Sequence, residues 1–203
     1  MNNTSSMKTR NSILEAAESL FVRGGFDGTS MSAIAKQASV NQSLISHHFG
    51  SKKGLWEATR TRAYMRYFGV QKRLLDLPDE QGTDILRNSI SQYFKFLANN
   101  PEAVRLQAWL YLDHHKHSFP AAEDVIKLGF DRLKDGQDQG LIRKDVPAPF
   151  IWATFIGMAH GWSQLRDEYA DLFSDGGFDP DNLDEAFLDA FLKIFFEGIG
   201  DQK

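Results

Sequence analysis

With 203 residues, 42% of them hydrophobic, the chain is long enough to bury one or two cores, and disorder is not expected beyond its termini. The absence of cysteine removes disulfides, thiolate metal sites and cysteine nucleophiles together. The net charge of −4 conceals a division: residues 1–75 carry 11 basic and 4 acidic side chains and residues 76–203 carry 12 and 23, so a positive head suited to a polyanion precedes a negative body.

The opening MNNTSSMKTR lacks the apolar core of a signal peptide, and nowhere do about 18 apolar residues run together, so a cytoplasmic protein with no membrane contact is expected. A first helix is expected over residues 8–23, with Ile13, Ala16, Ala17, Leu20 and Phe21 on one stripe and Gly24-Gly25 ending it. Lys8 and Arg10 at its exposed start can reach phosphates or simply be solvated. Ile34, Ala35 and Ala38 then share a face of a short helix that Ser30 can cap, and Ile45 with Phe49 mark a second that Asn41 can cap. The segment Ala38-Ser39-Val40-Asn41 between them has the length of the tight turn in a helix-turn-helix. If Ile45 faces the core, then at about 100° per residue Ser43 and His47 lie nearly opposite, flanked by Leu44 and Ser46.

A long helix over residues 52–77 follows and must stop before Pro78; Trp56, Ala63, Tyr67, Val70 and Leu74 give it an apolar side, and Arg60, Arg62, Arg66, Lys72 and Arg73 line much of the rest. Pro78-Asp79-Glu80-Gln81-Gly82 is the expected boundary, dividing the chain into a head (1–51), a connecting helix (52–77) and a body (78–203). In the body, Ile85, Leu86, Ile90, Tyr93, Phe94 and Leu97 predict one helix ending at Asn99-Asn100, and Pro101 opens another through Leu112. A third starts near Pro120 and ends at Gly140, a fourth covers residues 150–173, and the last covers 183–199. Without strand alternation of any length, the fold class is all-α.

The stretch from Thr29 to Lys53 resembles the DNA-binding domain of TetR-family transcriptional repressors. The matching residues are Gly25-Phe26, Thr29-Ser30, Ile34-Ala35, Ala38, Val40, His47-His48-Phe49-Gly50-Ser51-Lys52 and Leu55. The resemblance implies a three-helix DNA-binding head followed by a helical ligand-binding and dimerisation domain. It also implies that Gln42, Ser43, Leu44, Ser46, His47 and His48 face double-stranded DNA, that Thr29 and Lys52 sit at phosphates, and that the capping Ser30 belongs to the same DNA-binding set. Two departures stand out: Ser39 replaces the usual glycine, and Ser46 replaces a usual tyrosine, leaving Leu44 to meet a thymine methyl.

The fourth body helix and the last are richer in large apolar residues than one buried stripe requires. A partner helix would cover them, and the resemblance implies a homodimer interface there, with Phe150, Gly157, Gly161, Phe187, Phe191 and Phe195 as its expected residues; completion of an intrachain core is the alternative. A two-fold dimer places two recognition helices one DNA turn apart on a near-palindromic operator. A small apolar or aromatic effector is expected in the body, against Tyr64, Phe68, Phe94, Trp109, His114, Phe130, Phe155, Met158 and Trp162, although most aromatic residues at helical spacing simply serve cores. Two other readings remain: a DNA-binding dimer that is architectural or regulated by another protein, and a metal-dependent enzyme using Asp113, His114, His115 and His117. The second has poor ligand spacing and no accompanying catalytic or phosphate-binding motif, so neither cofactor nor metal is expected.

Overall fold

The computed structural model describes residues 2–76, 83–112 and 120–199, which form ten α-helices and one 3-10 turn. The head begins with α1 (Asn2–Gly24), longer than its apolar stripe, followed by α2 (Met31–Gln37) and α3 (Gln42–Phe49). The helix α4 (Lys52–Leu75) comes next, and its expected last residues and the Pro78–Gly82 boundary lie outside the described residues. The remaining helices are α5 (Asp84–Ala98), α6 (Pro101–Leu112), α7 (Pro120–Asp138), α8 (Ala148–Leu165), α9 (Ala170–Asp175) and α10 (Leu183–Ile199).

Packing divides the chain into two units, residues 1–66 with 101–120 and residues 67–100 with 121–203, so the division falls within α4 and assigns α6 to the head. In the head, Ile13, Ala17, Phe21, Ile34, Ile45, Leu55 and Trp56 are wholly buried, and the Phe21 ring stands edge-on to Trp56 at 4.8 Å. Leu106 of α6 lies in the same core. The next turn of α6 brings Trp109, whose indole N–H donates to the Val22 carbonyl at 3.1 Å. Its ring occupies the space where a Cβ on Gly25 would come within 2.6 Å, and Gly25 itself has φ of +65°. The close approach therefore requires glycine twice over, for space and for backbone conformation.

The turn between α2 and α3 is closed at each step. Ser30 Oγ accepts from Ala33 N at 3.1 Å, Ala38 N donates to Ile34 O at 2.9 Å, Val40 N donates to Ala35 O at 3.0 Å, and Asn41 Oδ1 accepts from Leu44 N at 2.8 Å. Both expected caps are made, in extended backbone suited to that position. Ser39 sits in the left-handed region at φ +56°, a conformation in which its Cβ crowds the following carbonyl.

In the body, α5 buries Ile85, Ile90, Phe94 and Leu97, α8 buries Ile151, Phe155, Ala159 and Trp162, and α10 buries Leu183, Leu188, Phe191 and Phe195. Trp162 stacks on Phe187 at 4.0 Å with planes 7° apart, and its N–H donates to Asp184 at 2.8 Å. The fully buried Gln71 exchanges two bonds with Ser89: its Nε2 donates to the Ser89 carbonyl at 3.0 Å, and Ser89 Oγ donates to its Oε1 at 2.6 Å.

One expected helix is corrected. The fourth body helix does not run through residue 173 but ends at Leu165, and the short α9 follows a turn. The run Arg166-Asp167-Glu168 has nothing apolar to bury, and Arg166 instead forms ion pairs with Asp167 and Asp184, each at 2.9 Å.

Ser39→Gly is expected to stabilise the full chain by about 0.5–1 kcal/mol, because glycine relieves the left-handed strain at the cost of some unfolded-state entropy. Gly25→Ala is expected to destabilise it by about 2 kcal/mol or more through strain and the Trp109 clash. Urea unfolding midpoints measure both; a neutral Gly25→Ala would show that Trp109 does not hold this turn.

Candidate nucleic-acid interface

Burial of Ile45 turns the opposite face of α3 to solvent. Gln42, Ser43, Ser46 and His47 are exposed, and Leu44 and His48 are half-buried at its sides. The hydroxyls are already engaged: Ser43 Oγ donates to Asn41 Oδ1 at 2.7 Å and Ser46 Oγ to the Gln42 carbonyl at 3.3 Å. Ser30 remains exposed while capping α2. Thr29 is corrected: it is only 5% exposed, and its hydroxyl lies 2.9 Å from the Gly25 carbonyl and 3.2 Å from that of Leu20, so it closes the turn before α2 and is not positioned to donate to a phosphate.

Several basic side chains of the head are exposed or lie on aromatic rings, and one of them, Arg10, reaches α3. The Lys52 ammonium rests 4.5 Å above the Phe26 ring, and the Arg10 guanidinium lies 5.2 Å from the ring of Phe49, the last residue of α3. Lys36 and Lys53 are exposed on α2 and α4. Arg10 is the residue that sequence reasoning left among solvated alternatives; its place beside α3 depends on how α1 packs, for which periodicity has no signal.

The described aromatic residues expected around an effector each have a packing or bonding partner within their own unit. Tyr64 and Trp109 belong to the head, where the Tyr64 hydroxyl meets the Ala103 carbonyl at 3.4 Å and burial pushes its pKa up. Phe94 packs on Phe191 at 5.2 Å, Phe155 on Tyr93 at 5.5 Å, Phe130 on Trp152 at 5.5 Å and Phe68 on Tyr67 at 5.6 Å, while Trp162 carries the stack on Phe187. His114, with the rest of the Asp113–His117 cluster, lies outside the described residues. Met158 is 44% exposed and borders a cavity of about 320 Å³ between α8 and α10, together with Ile151, Thr154, Phe187, Ile194 and Phe195.

That cavity opens beside the surface where a partner subunit was expected. Phe150 is 66% exposed, and nothing within 4 Å would meet a Cβ on Gly157 or Gly161. Phe191 and Phe195 are corrected: at 4% and 7% exposure they form the cavity floor and pack within their own chain, because the same side of α10 faces α5. Phe187 is half-buried between the two roles.

A sequence model of the tetR family of bacterial regulatory proteins matches residues 13–59, and one of tetracyclin repressor-like C-terminal domains matches residues 90–181. The chain belongs to the tetR family. It is a DNA-binding transcriptional regulator. The HTH-type transcriptional repressor SCO4008 of Streptomyces coelicolor is 25% identical over 174 residues, 83% of this chain and 85% of the relative. The solved structure of SCO4942 from Streptomyces coelicolor superposes with a TM-score of 0.71 at 24% identity, covering 95% of this chain and 99% of that one. The transcriptional regulator FadR from Bacillus subtilis, solved in complex with stearoyl-CoA, superposes at 0.68 with 16% identity, covering 94% and 99%. No helix among the described residues is long and apolar enough to cross a membrane.

Among the described residues of this tetR-family body one imidazole is buried, that of His160, 4% exposed, whose Nε2 lies 2.5 Å from the Tyr93 hydroxyl. Burial lowers its pKa from 6.5 to about 4, so the folded chain holds it neutral where the unfolded chain would protonate it. The sign follows: its contribution is fully present above about pH 6.5 and is lost as the pH falls towards 4. Between pH 7 and pH 5 the loss should be about 2 kcal/mol. Denaturant titrations should show this slope in the wild type and a flatter one in His160→Gln; parallel slopes would remove His160 as its source.

Proposed function

We propose that the protein is a homodimeric repressor that binds a near-palindromic operator through α3 of each copy and is released when a small apolar or aromatic effector binds the helical body. The observation that carries this reading is the face of α3, polar and exposed at Gln42, Ser43, Ser46 and His47, with Arg10 beside its last residue and Lys36, Lys52 and Lys53 on the flanking helices of the same positive head to neutralise phosphates. Repression is supported by the named activity of the SCO4008 relative. A dimer is supported by α8, which has no charged residue in 18 positions and exposes Phe150, Thr154, Gly157 and Met158 on one side. An effector is supported by the stearoyl-CoA held by the FadR neighbour. Release needs only that the effector favour a state in which the two recognition helices no longer match adjacent grooves. Such a protein works in the cytoplasm, where its DNA is.

Fluorescence anisotropy on DNA from upstream of the gene, against scrambled DNA and across a salt series, tests the reading. Tight, sequence-dependent binding with two copies per site is expected. Lys52→Ala should weaken binding to both DNAs and lower the salt slope by about one, while His47→Ala should weaken only the specific complex. Equal losses on both DNAs from both variants would overturn the assigned roles.

A further inference from the structure

A serine on a recognition helix is ordinarily an ambiguous reader, since its hydroxyl can rotate to donate to one base or accept from another. Ser43 has lost that ambiguity. Asn41 caps α3, and the backbone N–H of Leu44 at 2.8 Å requires an acceptor, which fixes the side-chain oxygen of Asn41 towards the helix. The same oxygen stands 2.7 Å from Ser43 Oγ. A carbonyl oxygen carries no proton, so the hydrogen in that contact comes from Ser43. The hydroxyl is left with lone pairs alone, on an exposed residue opposite the buried Ile45.

The geometry points to Ser43 as a pre-set acceptor that reads an exocyclic amine in the major groove, adenine N6 or cytosine N4, and rejects guanine and thymine at the position it meets. This rests on the proposal that α3 reads an operator. In the major groove only those two amines donate, whereas guanine offers N7 and O6 and thymine O4, all acceptors. Phosphate oxygens are acceptors too, so the engaged hydroxyl is also turned away from the backbone and towards base edges. Ser46, whose hydroxyl donates to the Gln42 carbonyl at 3.3 Å, carries the same bias more weakly.

Selection from a library with randomised half-sites, followed by sequencing, tests this with the full-length protein and three variants. The wild type should enrich adenine or cytosine about tenfold over guanine and thymine at one symmetric position of each half-site. Ser43→Ala should abolish the preference there and nowhere else. Asn41→Gly keeps a tolerated cap residue and leaves Ser43 in place with its proton released, so guanine or thymine should become acceptable at that position. Asn41→Asp restores the acceptor, and the preference should return even if its charge lowers affinity for every sequence. Thermal unfolding of each variant shows that it is folded. The inference is overturned if the position sensitive to Ser43→Ala favours guanine or thymine in the wild type, or if Asn41→Gly keeps the wild-type preference. A wild type that enriches no sequence at all would overturn the operator-binding proposal itself, an outcome distinct from these two.

Discussion

Burial of Ile45 against the head core sets how the recognition helix faces outward. A helix of eight residues, such as α3, is too short to hold itself in water, so its conformation and its rotation about its own axis come from what it buries. Ile45 is wholly buried, and the core it joins includes the Phe21–Trp56 pair and Leu106 of α6. With that side chain anchored, every residue on α3 has an assigned direction, and the caps at Ser30 and Asn41 fix where α2 and α3 begin. Asn41 connects this folding constraint to chemistry, because the oxygen that caps the helix also determines which hydrogen-bonding role Ser43 has left.

The body follows a different logic. Its helices are joined by aromatic contacts among Phe94, Trp162, Phe187, Phe191 and Phe195, with two polar pairs within it, the part-buried pair of Gln71 with Ser89 and the buried pair of Tyr93 with His160. Apolar burial is non-directional, whereas such pairs penalise any arrangement that separates their members, and so they specify register. The uncharged α8 faces this core with one side and leaves the other uncovered, which is why the same helix bears on both the internal packing and the proposed subunit contact.

Much of the architecture was legible in the chain. The caps, the proline starts of α6 and α7, and the extents of α5 and α10 are local features, recorded in residue types a few positions apart. The exposure of Ser43, Ser46 and His47 on α3 followed from Ile45 and helical geometry, while Gln42 came with the family resemblance. Thr29 was placed on the DNA side by family pattern, and nothing local revealed that its hydroxyl is taken up by carbonyls of its own turn. The bond from Trp109 to the Val22 carbonyl, 87 positions away, had no signal in the local sequence. Phe191 and Phe195 were assigned to a partner surface because a helix apolar around most of its circumference does not reveal which side its own chain will cover.

The sequence by itself determined the all-helical class, the positive head and negative body, the helix-turn-helix and the family. The first three depend on composition, period or short-range capping, which act between near neighbours, and the family on a resemblance in residue types and spacings over one stretch. Only the tertiary structure decided which aromatic rings became core, that α6 belongs with the head, that Arg10 lies beside the end of α3, and that the Ser43 hydroxyl donates to Asn41. Most of these outcomes arise from contacts between residues distant along the chain. The last arises from a bond between residues 41 and 43 whose direction is set only once the cap has formed, and residue types alone do not encode it.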